Sequence, residues 1–275
     1  VPGQGERVDV IISMLGGSVT MGANERGFQQ ARIEAITIIE KNGAIADFRK
    51  SVVNGPERTD SLHPDFIHQE SFLLQPGEHG LSIELRDLVS GDSTASRIRL
   101  PLPIGSTPEG LFFSDVLLAS QVNRSTDPKV SRSGYEVLPF TSIYYPSEVK
   151  SLAFYAEVYN APLALKGDSM YLLSYQLESY ENHEVVGAYK KVSRIRAAEV
   201  SPVLAQFDIA PLPSGNYVLA MEARDRNGAL LGRGEQMIQR NNPIQFNLTD
   251  DTPLGHTFVD VFTDADTLAD ALRSL

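Results

Sequence analysis

Apolar and polar residues alternate along most of this chain, and a period of two predicts strands rather than helices. Val8, Val10, Ile12 and Met14 alternate with Asp9, Ile11 and Ser13, and runs at 32–40 and 44–53 flank Lys41-Asn42-Gly43. An Asn-Gly between two β-rich runs predicts a tight hairpin, because a type I′ turn needs positive φ at both central residues. Further strands are expected at 66–74, 80–88, 96–100, 111–119, 152–159, 170–180, 185–195, 204–209, 217–225 and 229–238. Arg226-Asn227-Gly228 predicts a second hairpin turn. Helical periodicity is nearly absent.

Two stretches interrupt the pattern. Residues 101–110 contain Pro101, Pro103, Pro108, Gly105 and Gly110. Proline cannot donate to a ladder, so a boundary is expected there, giving domains at 1–105 and 106–245. Residues 246–275 read as an acidic linker and a short helix, with Thr263, Asp264 and Asp266 at its start and Leu268, Leu272 and Leu275 on one face.

One phrase occurs twice. GEHGLSIELRD spans Gly77–Asp87, and GNYVLAMEARD spans Gly215–Asp225, 138 residues further on. The repeat predicts an all-β chain of two tandem immunoglobulin- or fibronectin III-like sandwiches, followed by the short C-terminal helix. In such folds a Tyr after a Gly-containing corner starts a late strand, its hydroxyl bonding upstream backbone. Gly215 and Tyr217 fit that corner, and Gly77 and His79 take the same places in the first copy, with Gly80 as an expected bulge. Leu81, Ile83 and Leu85, like Leu219, Met221 and Ala223, should face a core. Glu84, Arg86, Glu222 and Arg224 should face water.

Composition narrows the function classes. The net charge is −11 across 275 residues, and 246–275 carries six acids against one base. Without a concentrated basic face, nucleic-acid binding is not expected. Lys190, Lys191, Arg194 and Arg196 read as the wet face of a strand. The absence of Cys excludes disulfides and thiolate metal sites, and no apolar run approaches the roughly 20 residues of a membrane helix. The start at Val1, without a leader, suggests a processed or trimmed chain.

Candidate chemistry is sparse. Gly91-Asp92-Ser93 and Gly167-Asp168-Ser169 spell the start of a GDS-type ester hydrolase block, which needs a strand-to-helix setting. Both strings lie between strand-like runs, where these are ordinary turn residues. His63, His68, His79, His183 and His256 are scattered, and His63 and His68 would fall on opposite faces of a strand. Asp250, Asp251, Asp260, Asp264 and Asp266 lack the Gly-containing loop of a calcium site. No catalytic residue, metal or cofactor is assigned.

All ten tyrosines lie between Tyr135 and Tyr217. In residues 152–159 the apolar set Leu152, Phe154, Ala156 and Val158 takes one face and leaves Tyr155, Glu157 and Tyr159 on the other. If open, that face suits a protein partner or a sugar, since tyrosine offers area and a polar tip.

FFSDVLL (Phe112–Leu118), GYEVLPF (Gly134–Phe140), YYP (Tyr144–Pro146), LAFYAEVYN (Leu152–Asn160) and GNYVLAMEARD together resemble the segment preceding the GWxTD domain in a family of exported bacterial proteins. The first half resembles that family's leading β-domain through LQPGEHGLSIELRD (Leu74–Asp87), and Phe258–Leu275 is similar to the lead-in to the signature domain. The chain has no Trp, so the GWxTD motif itself is absent. The resemblance implies an exported protein of the periplasm or outer membrane of Gram-negative bacteria, with noncatalytic β-domains. The expected function is protein interaction or scaffolding in the cell envelope, the partner being another envelope protein or the chain's own missing C-terminal domain. A carbohydrate-binding accessory module is the alternative, and a GDS-type ester hydrolase acting through Ser93 or Ser169 a remote one.

Overall fold

The structure, a computed structural model, describes residues 5–92, 94–106, 108–127, 131–167 and 169–243. The expected C-terminal helix, Ser93, Asp168, His256 and the acids from Asp250 onward lie outside them. The chain forms two compact units, Val1–Pro108 and Glu109–Leu275.

Unit 1 contains β1 (Glu6–Met14), β2 (Gly22–Ala23), β3 (Gln29–Gln30), β4 (Arg32–Lys41), β5 (Ala44–Asn54), β6 (Phe66–Leu74), β7 (Gly77–Asp87) and β8 (Ser96–Ile104). One layer is a sheet of order β5-β4-β7-β8, and the facing layer is the β1-β6 ladder. Val10, Ile12 and Met14 of β1 and Phe72 and Leu74 of β6 are buried with Ile33, Ala35 and Ile39 of β4. The alternation of β1 thus becomes one face of a core. Asn42 and Gly43 have φ of 53° and 77°, the type I′ geometry expected of the β4-β5 hairpin.

Two local expectations are corrected. The prolines do not end the strand. β8 continues through Pro101 and Pro103, which stand opposite Gly80 and Glu78 of β7. An antiparallel ladder takes its N–H groups from every second residue, and β8 is an edge strand. Two prolines two residues apart therefore remove only outward-facing donors. Gly80 is no bulge either, since it pairs in register with Glu40. The irregularity lies across the sheet, where Ile39 pairs Asp47 and Glu40 pairs Ile45, leaving Ala46 as the extra residue of β5.

Unit 2 contains β9 (Phe112–Phe113), β10 (Leu117–Arg124), β11 (Ser131–Arg132), β12 (Tyr135–Pro139), β13 (Tyr144–Tyr145), β14 (Ser151–Tyr159), helix α1 (Ala161–Leu165), β15 (Met170–Ser179), β16 (Val185–Arg196), β17 (Val200–Asp208), β18 (Gly215–Arg224) and β19 (Leu230–Arg240). One sheet runs β11-β12-β10-β14-β17, with β9 also on β14; the other runs β13-β19-β18-β15-β16. Leu152, Phe154, Ala156 and Val158 of β14 pack in one core with Leu173 and Leu177 of β15 and Leu219 and Met221 of β18.

The two units share one plan. The order β5-β4-β7-β8 corresponds strand for strand to β16-β15-β18-β19, and β1-β6 corresponds to β14-β17. Both are sandwiches of the immunoglobulin and fibronectin III kind, and the repeated phrase is the same strand, β7 and β18, in each.

The single strand expected over 111–119 is broken. Phe113 pairs Val158 and Leu117 pairs Tyr155, so three residues, 114–116, face two, 156 and 157. The extra residue kinks the chain between β9 and β10.

Candidate functional site

The face of β14 that carries Tyr155, Glu157 and Tyr159 is closed. Residues two apart on a strand share a face, and here all three side chains meet. Tyr155 donates its hydroxyl to Glu157 Oε1 at 2.6 Å, and the Tyr159 hydroxyl donates to Glu157 Oε2. A third hydroxyl comes from Ser133, 2.5 Å from Oε1. Ser133 and Gly134 have φ of 46° and 89° and form the tight turn between β11 and β12. The hairpin curls back so that its tip reaches β14, two strands away in the sheet.

A binding role for this face depended on its being open, and at Tyr155 it is not. Tyr155 is only 3% exposed and packs with Ala119 and Val137. Burial, followed by the Glu157 carboxylate, pushes its phenol well above the ordinary tyrosine value. Tyr159 is half-buried, its ring stacked on Phe112 at 5.0 Å and 11°, so a flat platform for a sugar is already occupied. The hydroxyls of Tyr155, Tyr159 and Ser133 converge on Glu157, and the bond from Ser133 holds the hairpin to β14, while β9 is held by pairing with β14 and by the Phe112–Tyr159 stack.

The repeated phrase makes matching contacts in both units. Tyr217 is buried, and its hydroxyl donates to Pro213 O, four residues upstream, at 3.1 Å. Burial raises its phenol to about 12. A side chain on Gly215 would lie 3.1 Å from that hydroxyl, so the glycine leaves space for the ring. In unit 1 His79 is 7% exposed and its Nδ1 sits 3.0 Å from Gly77 O. A carbonyl only accepts, so Nδ1 carries the proton. The Glu and Arg of each phrase pair along the strand, Glu84 with Arg86 at 3.3 Å and Glu222 with Arg224 at 2.8 Å. The final Asp caps the next turn: Asp87 accepts from Val89 N and Asp225 from Asn227 N, each at 2.8 Å.

Sequence reasoning passed over two buried charged groups. Arg240 is 2% exposed, and its guanidinium donates to the carbonyls of Leu212, Tyr145, Pro146 and Val149 at 2.7–3.4 Å. Burial lowers its pKa. Glu178, 2% exposed, receives both terminal nitrogens of Arg233 at 3.2 and 2.7 Å. Burial opposes its charge, but the hydrogen bonds from Arg233 and Gln176 hold its carboxyl below the ordinary range. Glu178 appears in the sequence as an unremarkable polar position of an expected strand and Arg240 as a charge two residues past one, and only their neighbours in space make them buried.

The remaining candidates are turns or pairings. Asp92 accepts from Thr94 N at 2.8 Å in an exposed turn, and Gly167 follows α1 with φ of 113°. His68 faces inward and bonds Glu70 at 3.0 Å. Among the described residues, no group of three or more His, Cys, Asp or Glu could hold a metal ion, and no helix is long and apolar enough to cross a membrane.

No family model matches the chain, and no curated protein does. Solved structures are similar at low identity. A red sea bream transglutaminase is 11% identical, with a TM-score of 0.25 over 87% of this chain and 30% of its own. A calcium-binding mutant of Bacteroides uniformis β-glucuronidase 2 is 13% identical, with a TM-score of 0.29 over 84% of this chain and 26% of its own. The chain thus spans under a third of either. The fibronectin(III)-like modules of Clostridium thermocellum CbhA are 13% identical, with a TM-score of 0.23 over 88% of this chain and 90% of theirs.

Proposed function

We propose that the chain is a noncatalytic interaction module of the bacterial cell envelope, and that unit 1 engages a second envelope protein by accepting an extended segment over β8. One observation carries this reading. Ile98 and Leu100 point to the inner side of β8, opposite Ile83 and Leu81, yet are 50% and 43% exposed. In unit 2 the corresponding flank is covered by β9, with Leu111 and Phe113 against β19 at Gly232 and Gly234. An apolar inner face left half in water is a surface that gains by being covered. The envelope setting is supported by the resemblance of both halves to the exported family, and the noncatalytic role by the turn and pairing roles of the polar residues described.

The test is cross-linking of the full chain in envelope extracts, with the captured protein identified and then titrated in purified form. Binding should protect the amides of β8 and its neighbours from hydrogen exchange, and Ile98→Asp with Leu100→Asp should weaken it by about tenfold or more. Binding that survives the double change, or that is lost instead on Tyr159→Ala, would remove β8 from the reading.

A further inference from the structure

At the other edge of the same sheet, β5 pairs with β4 alone among the described residues. Its outward face is largely apolar: Ile45, Phe48 and Val52 are 63%, 53% and 50% exposed, and Lys50, between the last two, is paired with Glu34 of β4 at 2.8 Å. The corresponding edge of unit 2, β16, presents Lys190, Arg194 and Arg196 opposite Gln176, Leu172 and Met170. Like charges along an edge discourage an added strand. On β5 both signs are present, and Asp47 and Arg49 are placed symmetrically about Phe48, while Lys50 is held by Glu34 of its own sheet.

Asp47 and Arg49 flank Phe48 and share a face, opposite Ile39 and Thr37 of β4. Their side chains are 36% and 44% exposed, and they stand 3.9 Å apart. When two copies of β5 run antiparallel about a two-fold axis through Phe48, each residue n places after it meets the residue n places before it on the other copy. Asp47 then meets Arg49 of the second copy, twice over, and the two Phe48 rings meet at the axis. Directly opposed, oppositely charged pairs and aromatic pairs are the contacts that stabilise antiparallel strands.

We propose that the protein self-associates through β5, two copies forming an isologous dimer in which the two four-stranded sheets join. The extra residue Ala46 keeps the shared ladder short, so the association is weak. It uses the edge of the sheet opposite to β8, and its test is independent of any envelope partner.

Sedimentation velocity on the full chain, from low to high micromolar concentration, reads the outcome. The unaltered protein should pass from monomer to dimer. Asp47→Arg alone sets Arg against Arg49 and Arg49→Asp alone sets Asp47 against Asp, so each should stay monomeric, whereas an equimolar mixture should form the heterodimer. Arg49 also lies over the Phe72 ring at 4.7 Å, so circular dichroism checks that its variant folds. Phe48→Glu, at an exposed position, places like charges at the axis and should abolish the dimer without touching that contact. An unaltered protein that is monomeric throughout, single variants that dimerise as well as it does, or a mixture that stays monomeric would each overturn the proposal.

Discussion

Leu81, Ile83 and Leu85 in unit 1 stand where Leu219, Met221 and Ala223 stand in unit 2, yet the two sets meet different surroundings. The second three are all 0% exposed, while Leu81 is 8% exposed and Ile83 and Leu85 are half-buried. The strand itself is not the cause. Both copies run between the same two neighbours, and both end in an Asp-capped turn. What differs is the facing layer, among the described residues two strands in unit 1 against the six-stranded sheet of β9, β10, β11, β12, β14 and β17 in unit 2. The edge strand has adjusted to match. Met221 pairs Gly234, where a side chain would lie 2.9 Å from Phe113 Cβ, whereas Ile83 pairs Ile98. Glycine admits a covering strand, and isoleucine fills part of the space that such a strand would take. Burial on a sheet is thus set by what lies across from it, and the same phrase can be a complete core in one unit and a half-exposed face in the other.

The largest break in this comparison comes from Arg240, which has no counterpart at the end of β8. Its guanidinium ties β19 through four carbonyls to Tyr145, Pro146 and Val149 at the end of β13 and beyond, and to Leu212 before β18. Leu212, Tyr145 and Pro146 O each keep a second donor, in Asn242, Asn241 and Val149, but Arg240→Ala removes four charge-assisted hydrogen bonds and leaves a cavity, and should cost unit 2 about 4 kcal/mol. Hydrogen exchange should show faster opening of β13 and β19, with the strands of unit 1 unchanged. Opening of both units to the same extent would mean that they unfold as one.

Truncating the matched core positions separates the units more directly. Met221→Ala should cost about 3 kcal/mol, because a fully enclosed site leaves a cavity, whereas Ile83→Ala should cost about 1 kcal/mol at a half-solvated one. Urea unfolding of the two variants reads the difference. Equal losses would show that Ile83 is covered in solution, and so would count against a vacant flank over β8.

Much of the scaffold was legible because it follows from local rules. Asn42-Gly43 fixes a hairpin through backbone sterics alone, and the alternation of 66–74 and 152–159 survives as strands with those bounds to within a residue. The candidate site was legible only in part. Tyr155, Glu157 and Tyr159 do share a face, as their spacing requires, but whether that face is open depends on the β11-β12 hairpin. Its signal is one Ser133-Gly134 pair in a polar stretch, and its return to β14 is a contact between residues far apart in sequence. Arg240 was illegible for the same reason. A single charged residue in a strand reads as solvated until the turn that buries it is in place. Pro101 and Pro103 misled in the opposite direction, because proline excludes a central strand but spares one side of an edge.

The finest distinction between the copies is the corner, where Tyr217 reaches four residues upstream and His79 only two. Tyr217→Phe removes the bond to Pro213 O and keeps the ring, so it should cost unit 2 about 1 kcal/mol. His79 spans less chain and bonds its own strand's Gly77, so it fixes the strand's start without fixing the crossover. His79→Phe should therefore leave the exchange of the 75–77 corner nearly unchanged, while Tyr217→Phe should loosen 210–215. If both substitutions loosened their corners alike, the two residues would be doing the same work, and the repeat would be functional symmetry rather than a shared plan with one copy strengthened.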